Sequence, residues 1–329
     1  MKLFANACIC LSVLSAAVPA VAAPAAPAAP AATAATATAP ATATAPAVAH
    51  VTVGKLARLA LAPSKFVAAR PVEVWVPDDY AQKVSAGKRF QVLYMHDGQM
   101  LFDPATTWNK TAWHVHETLA RLMREGKVED TIIVGIFNIA ENRYFEYFPE
   151  KFLDEMSPAA RAAFVRDGLK HAPQADNYLR FLVQELKPAI DARYATRLDA
   201  AGTFIMGSSM GGLISVYAMS EYPQVFGGAA GLSTHWPGTG KHNATLPLAA
   251  YNYLDHKLPP PQGHKLYQDH GGVGLDALYA PYQAFVDQIV RGKGYTGAHY
   301  LSKVYPADDH NEKAWAARLE VPLVFLLSK

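Results

Sequence analysis

The amino-acid sequence predicts an α/β protein built on a mostly parallel central sheet with helices on both faces. Two observations carry this. Short, near-continuous apolar runs rich in Val, Ile, Phe and Tyr recur through residues 50–329, as strands covered on both faces require. Segments with apolar residues at helical spacing lie between them, and strand–helix alternation of this kind predicts a parallel sheet.

The chain has 329 residues, and its first part reads differently. Met1-Lys2-Leu3 is a short basic start, an apolar run follows to about Val18, and Ala20-Val21-Ala22 fits a signal-peptidase site. Residues 1–22 are therefore expected to be a cleaved signal peptide, too short in its apolar part for a membrane span of ~20 residues. The expected address is periplasmic or secreted, with no stable membrane insertion after cleavage. Residues 23–49 are almost only Ala, Pro and Thr; such a stretch buries too little to offset the entropy of ordering and reads as a disordered linker. Both cysteines, Cys8 and Cys10, fall in the signal segment, so the mature chain has no disulfide, thiolate metal site or cysteine nucleophile. Residues 50–329 suit one large domain, and a net charge of +2 without a basic block gives no reason to expect a nucleic-acid partner.

Along this domain, strands are expected near Val51–Leu61 and at Val72–Val76, the pair forming an antiparallel edge hairpin because no helix separates them. Further strands are expected at Gln91–Met95, Thr131–Phe137, Thr203–Met206, Gly228–Leu232, Lys265–Gln268 and His299–Tyr305. Tyr178, Phe181, Leu182, Leu186 and Ile190 share one helical face, with Asp176 or Asn177 as cap and Pro188 expected to kink or end the helix. Leu213–Met219, Tyr279–Val290 and Lys313 to about Leu327 also read as helices, the last open to division at Pro322. The polar, Phe-rich stretch from Asn142 to Ala175 sits where an insertion or lid could lie.

Gly207-Ser208-Ser209-Met210-Gly211 matches G-x-S-x-G. With a buried strand before it and a helix after it, this is the nucleophile elbow of the α/β-hydrolase fold. The turn is expected to leave no room for Cβ atoms at 207 and 211 and to hold Ser209, at its centre, in a strained conformation. Ser208 is the rival nucleophile. The chain order in this fold is serine, acid, histidine, and His310, after the last strand, is the matching base. Asp269 and Asp276, which leave the preceding strand, are both candidates for the acid; the glycines around Asp276 favour it. Backbone N–H groups of Met210 and Gln99 are the expected oxyanion donors. His96 and Asp97 are read as loop supports. Trp113-His114-Val115-His116-Glu117 contains H-x-H-E, but residues two apart on a helix face different ways, so no metal site is expected.

From about Gly54 onward the chain resembles the esterase family of α/β hydrolases that takes in esterase D, feruloyl and acetylxylan esterases, enterochelin esterases and mycolyltransferases. The resemblance rests on Leu93 to Gln99, Tyr178 to Tyr194 (YLRFLVQELKPAIDARY), Gly207 to Gly212, Asp269 to Asp276 and His310 to Trp315. It implies a triad of Ser209, Asp276 and His310, oxyanion positions at Gln99 and Met210, and no cofactor; Gly272 stands where threonine is common in the family. It also implies that Arg143 borders the substrate cleft. Tyr144, Trp236 and Trp108 are candidates for an aromatic wall, with core packing the competing role for each. The expected reaction is ester hydrolysis through an acyl-enzyme, on small-molecule or carbohydrate esters such as acylated carbohydrate, feruloyl or siderophore esters. An acyltransferase with the same triad and a silent surface-binding module are the alternatives.

Overall fold

The structure, a computed structural model, describes residues 47–329; the expected signal peptide and nearly all of the expected linker lie outside these residues. Eight strands form one sheet: β1 (Lys55–Arg58), β2 (Val72–Val76), β3 (Gln91–Met95), β4 (Thr131–Ile136), β5 (Thr203–Ser208), β6 (Gly228–Leu232), β7 (Lys265–Gly271) and β8 (Tyr300–Tyr305). Their order is β1-β2-β4-β3-β5-β6-β7-β8. β1 pairs antiparallel with β2, and β2 with β4; every other pair is parallel. From β3 the chain winds one way to β4, then returns beyond β3 to β5 and winds the other way. The switch point between β3 and β5 is where such a sheet opens a crevice at its carboxyl ends.

Side-chain alternation divides the core between two faces. Val92 and Tyr94 of β3 join the helices 175–193, 210–221, 245–257 and 280–292 on one face. Leu93 and Met95 face the helices 115–124 and 312–327 on the other. β3 to β6 are buried along their whole length, which explains why they read as continuous apolar runs.

Several expectations need correction. The first strand is shorter than Val51–Leu61 because Gly54, at φ 76°, turns the chain, and Val53 gives its carbonyl to the Trp75 indole at 2.8 Å. The Tyr178 helix begins at Ala175, so Asp176 and Asn177 lie in its first turn and neither caps it; Asp176 instead accepts from the Tyr217 hydroxyl. Pro188 does not end this helix. A π-helical turn over Phe181–Leu186 precedes it and widens the ladder where the proline ring would meet the carbonyl four residues back. The last helix divides at Leu319, which leaves Pro322 in the first turn of the second piece, where its missing N–H costs nothing. Residues 143–169 are a packed layer of short helices rather than a lid: Tyr147, Phe148, Phe152 and Leu153 are buried in the core.

Candidate active site

Ser209 stands between β5 and the helix Met210–Glu221 at φ 56°, ψ −122°. A non-glycine residue held there stores about 1–3 kcal/mol of strain. Its backbone is fixed on both sides. The N–H donates to Leu232 O at 2.9 Å, and the carbonyl accepts from Gly212, Leu213 and His235 N–H groups at 3.0–3.2 Å. A Cβ on Gly207 would stand 2.8 Å from the Gly211 carbonyl carbon and oxygen, so this glycine is required. At Gly211 a Cβ would meet the His96 Cβ at 3.4 Å and Asp97 Oδ2 at 3.5 Å, both ordinary contacts. The expected exclusion at 211 belongs instead to Gly212, where a Cβ would lie 2.7 Å from Thr234 Oγ1 and 3.1 Å from Gly231 Cα. Ser208, the rival, is the last residue of β5 and nearly buried.

His310 follows β8 in a loop at the same carboxyl edge. Its Nδ1 lies 2.6 Å from Asp276 Oδ1. The second carboxylate oxygen accepts from the Gly271 N–H at 2.7 Å and the Ser233 hydroxyl at 2.5 Å. Burial alone would raise the Asp276 carboxyl, but the hydrogen bonds from His310 and Ser233 outweigh it and hold it below the usual range. Asp269 has other partners. Arg318 reaches it at 2.9 and 3.1 Å, Tyr267 at 2.8 Å and the Ser233 N–H at 2.9 Å. The geometry thus pairs Asp276, and not Asp269, with the imidazole. Trp315 meets the His310 ring edge-on at a centroid distance of 5.0 Å.

Met210 opens the helix after Ser209, so its N–H has no intrahelical acceptor. Gln99 follows β3 across the switch point, where His96 N–H bonds Met206 O at 3.0 Å and ties the two strand ends together. Both Gln99 and Ser209 line one cleft of about 860 Å³, with Asp97, Trp108, Arg143 and His310. Asp97, at φ 57°, accepts from Asn138 at 2.6 Å and from Arg143 twice at 2.8 Å. Burial would raise its carboxyl, and the Arg143 guanidinium brings it below the usual range instead. His96 is buried beneath the loop, bonded to the Tyr178 hydroxyl at 2.9 Å, and burial pushes it down to about 3.

Two aromatic candidates do not reach this cleft. Trp236 is buried with its indole N–H on Gln283 at 2.9 Å, and Tyr144 packs on the core with its hydroxyl on Gly238 O. Trp108, by contrast, is 80% exposed at the rim. Of the H-x-H-E pair, His116 is buried against Phe102 while His114 is half-buried; among the described residues no group of three or more His, Cys, Asp or Glu is placed to hold a metal. Sequence reasoning missed Ser233, His235, Tyr279 and Arg318. His235 and Tyr279 share a 2.5 Å hydrogen bond beside His310. The one signal was Ser233-Thr234-His235-Trp236, a polar break just after an apolar strand.

Fold and elbow together define an α/β hydrolase. Solved structures share the fold. A ferulic acid esterase aligns with TM-score 0.57 and 18% identity over 84% of this chain and 98% of its own. An IroE-like serine hydrolase from Shewanella oneidensis aligns with TM-score 0.59 and 18% identity over 83% and 79%, and an enterobactin esterase from Shigella flexneri with TM-score 0.58 and 16% identity over 85% and 60%. An uncharacterized Bacillus subtilis protein, YbbA, is 24% identical over 168 residues, 51% of this chain and 58% of that protein. The model of the esterase family, described as "Putative esterase", matches residues 65–326, and the chain belongs to that family.

Proposed function

We propose that the protein hydrolyses carboxylic esters through an acyl-enzyme on Ser209. His310 takes the Ser209 proton as the hydroxyl oxygen attacks the ester carbonyl, and Asp276 holds the imidazole in the reactive tautomer and stabilises the imidazolium. The oxyanion is met by the N–H groups of Met210 and Gln99. His310 then gives its proton to the departing alkoxide, and water repeats the sequence on the acyl-enzyme, returning Ser209 and releasing the acid. The observation that carries this reading is the 2.6 Å bond between His310 and Asp276 in a cleft that also holds the strained Ser209. Neighbours described as ferulic acid and enterobactin esterases suggest feruloyl, siderophore or acylated carbohydrate esters as substrates, with Arg143 and Trp108 bordering the cleft. The first 22 residues suggest action outside the cytoplasm.

The test is labelling with a fluorophosphonate probe and peptide mapping, alongside p-nitrophenyl acetate turnover. Labelling at Ser209, with turnover abolished in Ser209→Ala and His310→Ala, is expected. Turnover that survives Ser209→Ala would remove the proposal.

A further inference from the structure

Ser233 has no exposed surface and does not line the cleft. It follows β6 at φ 45°, and its hydroxyl has three partners. Trp315 Nε1 and Arg318 Nη2 donate to the oxygen at 2.9 and 2.8 Å. An indole N–H and a guanidinium donate only, so they occupy both lone pairs of the oxygen. The hydroxyl hydrogen then has one acceptor within reach, Asp276 Oδ2 at 2.5 Å. Since the Gly271 N–H bonds that same oxygen, Oδ1 alone is left to the imidazole.

We propose that Ser233 is the positioning residue of the acid–base pair: its hydroxyl, polarised by Arg318 and Trp315, locks the Asp276 carboxylate with Oδ1 toward His310. This rests on the esterase reading above. The same hydroxyl steadies the imidazole by a second route, because Trp315, tethered to it, packs against the His310 ring. Arg318 is in turn fixed by Asp269 and by Asp308 at 2.9 Å. The buried Asp269–Arg318 pair, which does not touch His310, therefore acts on it through one serine.

A role in positioning separates from a role in binding. Without the Ser233 hydroxyl the Asp276 charge is less dispersed, so the carboxylate stabilises the imidazolium more strongly. The acid limb of kcat/KM against pH then moves up while kcat falls through lost alignment. Other charged or titratable groups face this pair: Asp269 on β7, His235 after β6, Tyr279, Asp308 and Asp309 in the His310 loop, Glu312 and Arg318 on the last helices, and Arg143 across the cleft. All are retained when only residue 233 changes, so the shift is a difference measurement.

The experiment compares full-length Ser233→Ala and Ser233→Gly with wild type in p-nitrophenyl acetate turnover, with circular dichroism and thermal melts to show folding. Glycine suits φ 45° without strain, so that variant isolates the hydroxyl. Expected are a kcat about 10- to 100-fold lower, KM within about twofold, and an acid limb raised by about half a pH unit. Wild-type kcat with an unmoved limb, a change confined to KM, or failure of the glycine variant to fold would each overturn the proposal. Wild-type turnover lost in Ser209→Ala is the control; its survival would sink the esterase reading instead.

Discussion

Arg143 grips Asp97 in parallel, Nε on Oδ1 and Nη2 on Oδ2, each at 2.8 Å. Asp97 sits in the left-handed region two residues before Gln99, so this pair sets the path of the loop that carries the proposed oxyanion donor. Arg143→Met leaves the carboxylate with only its Asn138 partner. A stability loss of about 2 kcal/mol is expected, below the full cost of breaking a buried pair because Arg143 is partly exposed. kcat/KM should fall about 10- to 100-fold. Arg143→Lys should recover little, since an ammonium cannot reproduce the fork. Urea midpoints and steady-state kinetics read both effects.

The two aspartates on and just after β7 should part company on mutation. Asp276→Asn keeps the shape but presents the wrong hydrogen-bonding partner to His310, and kcat should fall about 10³- to 10⁴-fold with little loss of fold. Asp269→Asn strips Arg318 of a buried counter-charge, which costs about 3–5 kcal/mol, and should act first on the melting temperature. Equal kcat losses in two equally stable variants would contradict this division.

The elbow glycines should also differ. Gly207→Ala places a Cβ 2.8 Å from Gly211 backbone and should yield unstable or inactive protein, at a cost of about 1–3 kcal/mol or more. Gly211→Ala meets only ordinary contacts, with His96 and Asp97, within a helix and should fold and turn over substrate. Expression, melting and specific activity of the pair decide it.

Two buried histidines should make stability fall as the pH drops below about 6.5. Burial pushes His96 down to about 3 and His235 to about 4, so both stay neutral in the fold. In the unfolded chain each binds a proton near pH 6.5. The unfolded state therefore binds more protons below pH 6.5, and stability present above that pH is lost as pH drops toward 4, about 2 kcal/mol per histidine by pH 5. Asp97 and Asp276, held below the usual carboxylate range, add a loss of the same sign at still lower pH. Urea midpoints at pH 7.5, 6 and 5 test this, and His235→Gln should flatten the slope.

The sheet was legible because β3, β4 and β5 are buried on both faces and read as short apolar runs rich in β-branched and aromatic residues, bounded by turns. The elbow was legible because strain and close packing restrict residues 207 and 209 locally. What the sequence left open depends on distant partners. Asp269 and Asp276 look alike until Arg318, from the last helix, claims one of them. Ser233 reads as an ordinary loop serine until Trp315 and Arg318 arrive to fill its lone pairs. The start of the 175–193 helix was misplaced because Asp176, a good cap by composition, is drawn instead to Tyr217 on a neighbouring helix. Trp236 was offered to the cleft on its chemistry alone; its address in the core was set by Gln283.

The backbone at Ser209 has one more consequence. A residue at φ 56°, ψ −122° is one that the surrounding bonds impose against its own preference, and glycine would sit there without protest. Ser209→Gly should therefore melt higher than wild type while being inert. On the acyl-enzyme reading proposed above, the fold is most comfortable without the residue that reacts, and the strain held at position 209 keeps the molecule short of the stability its architecture allows.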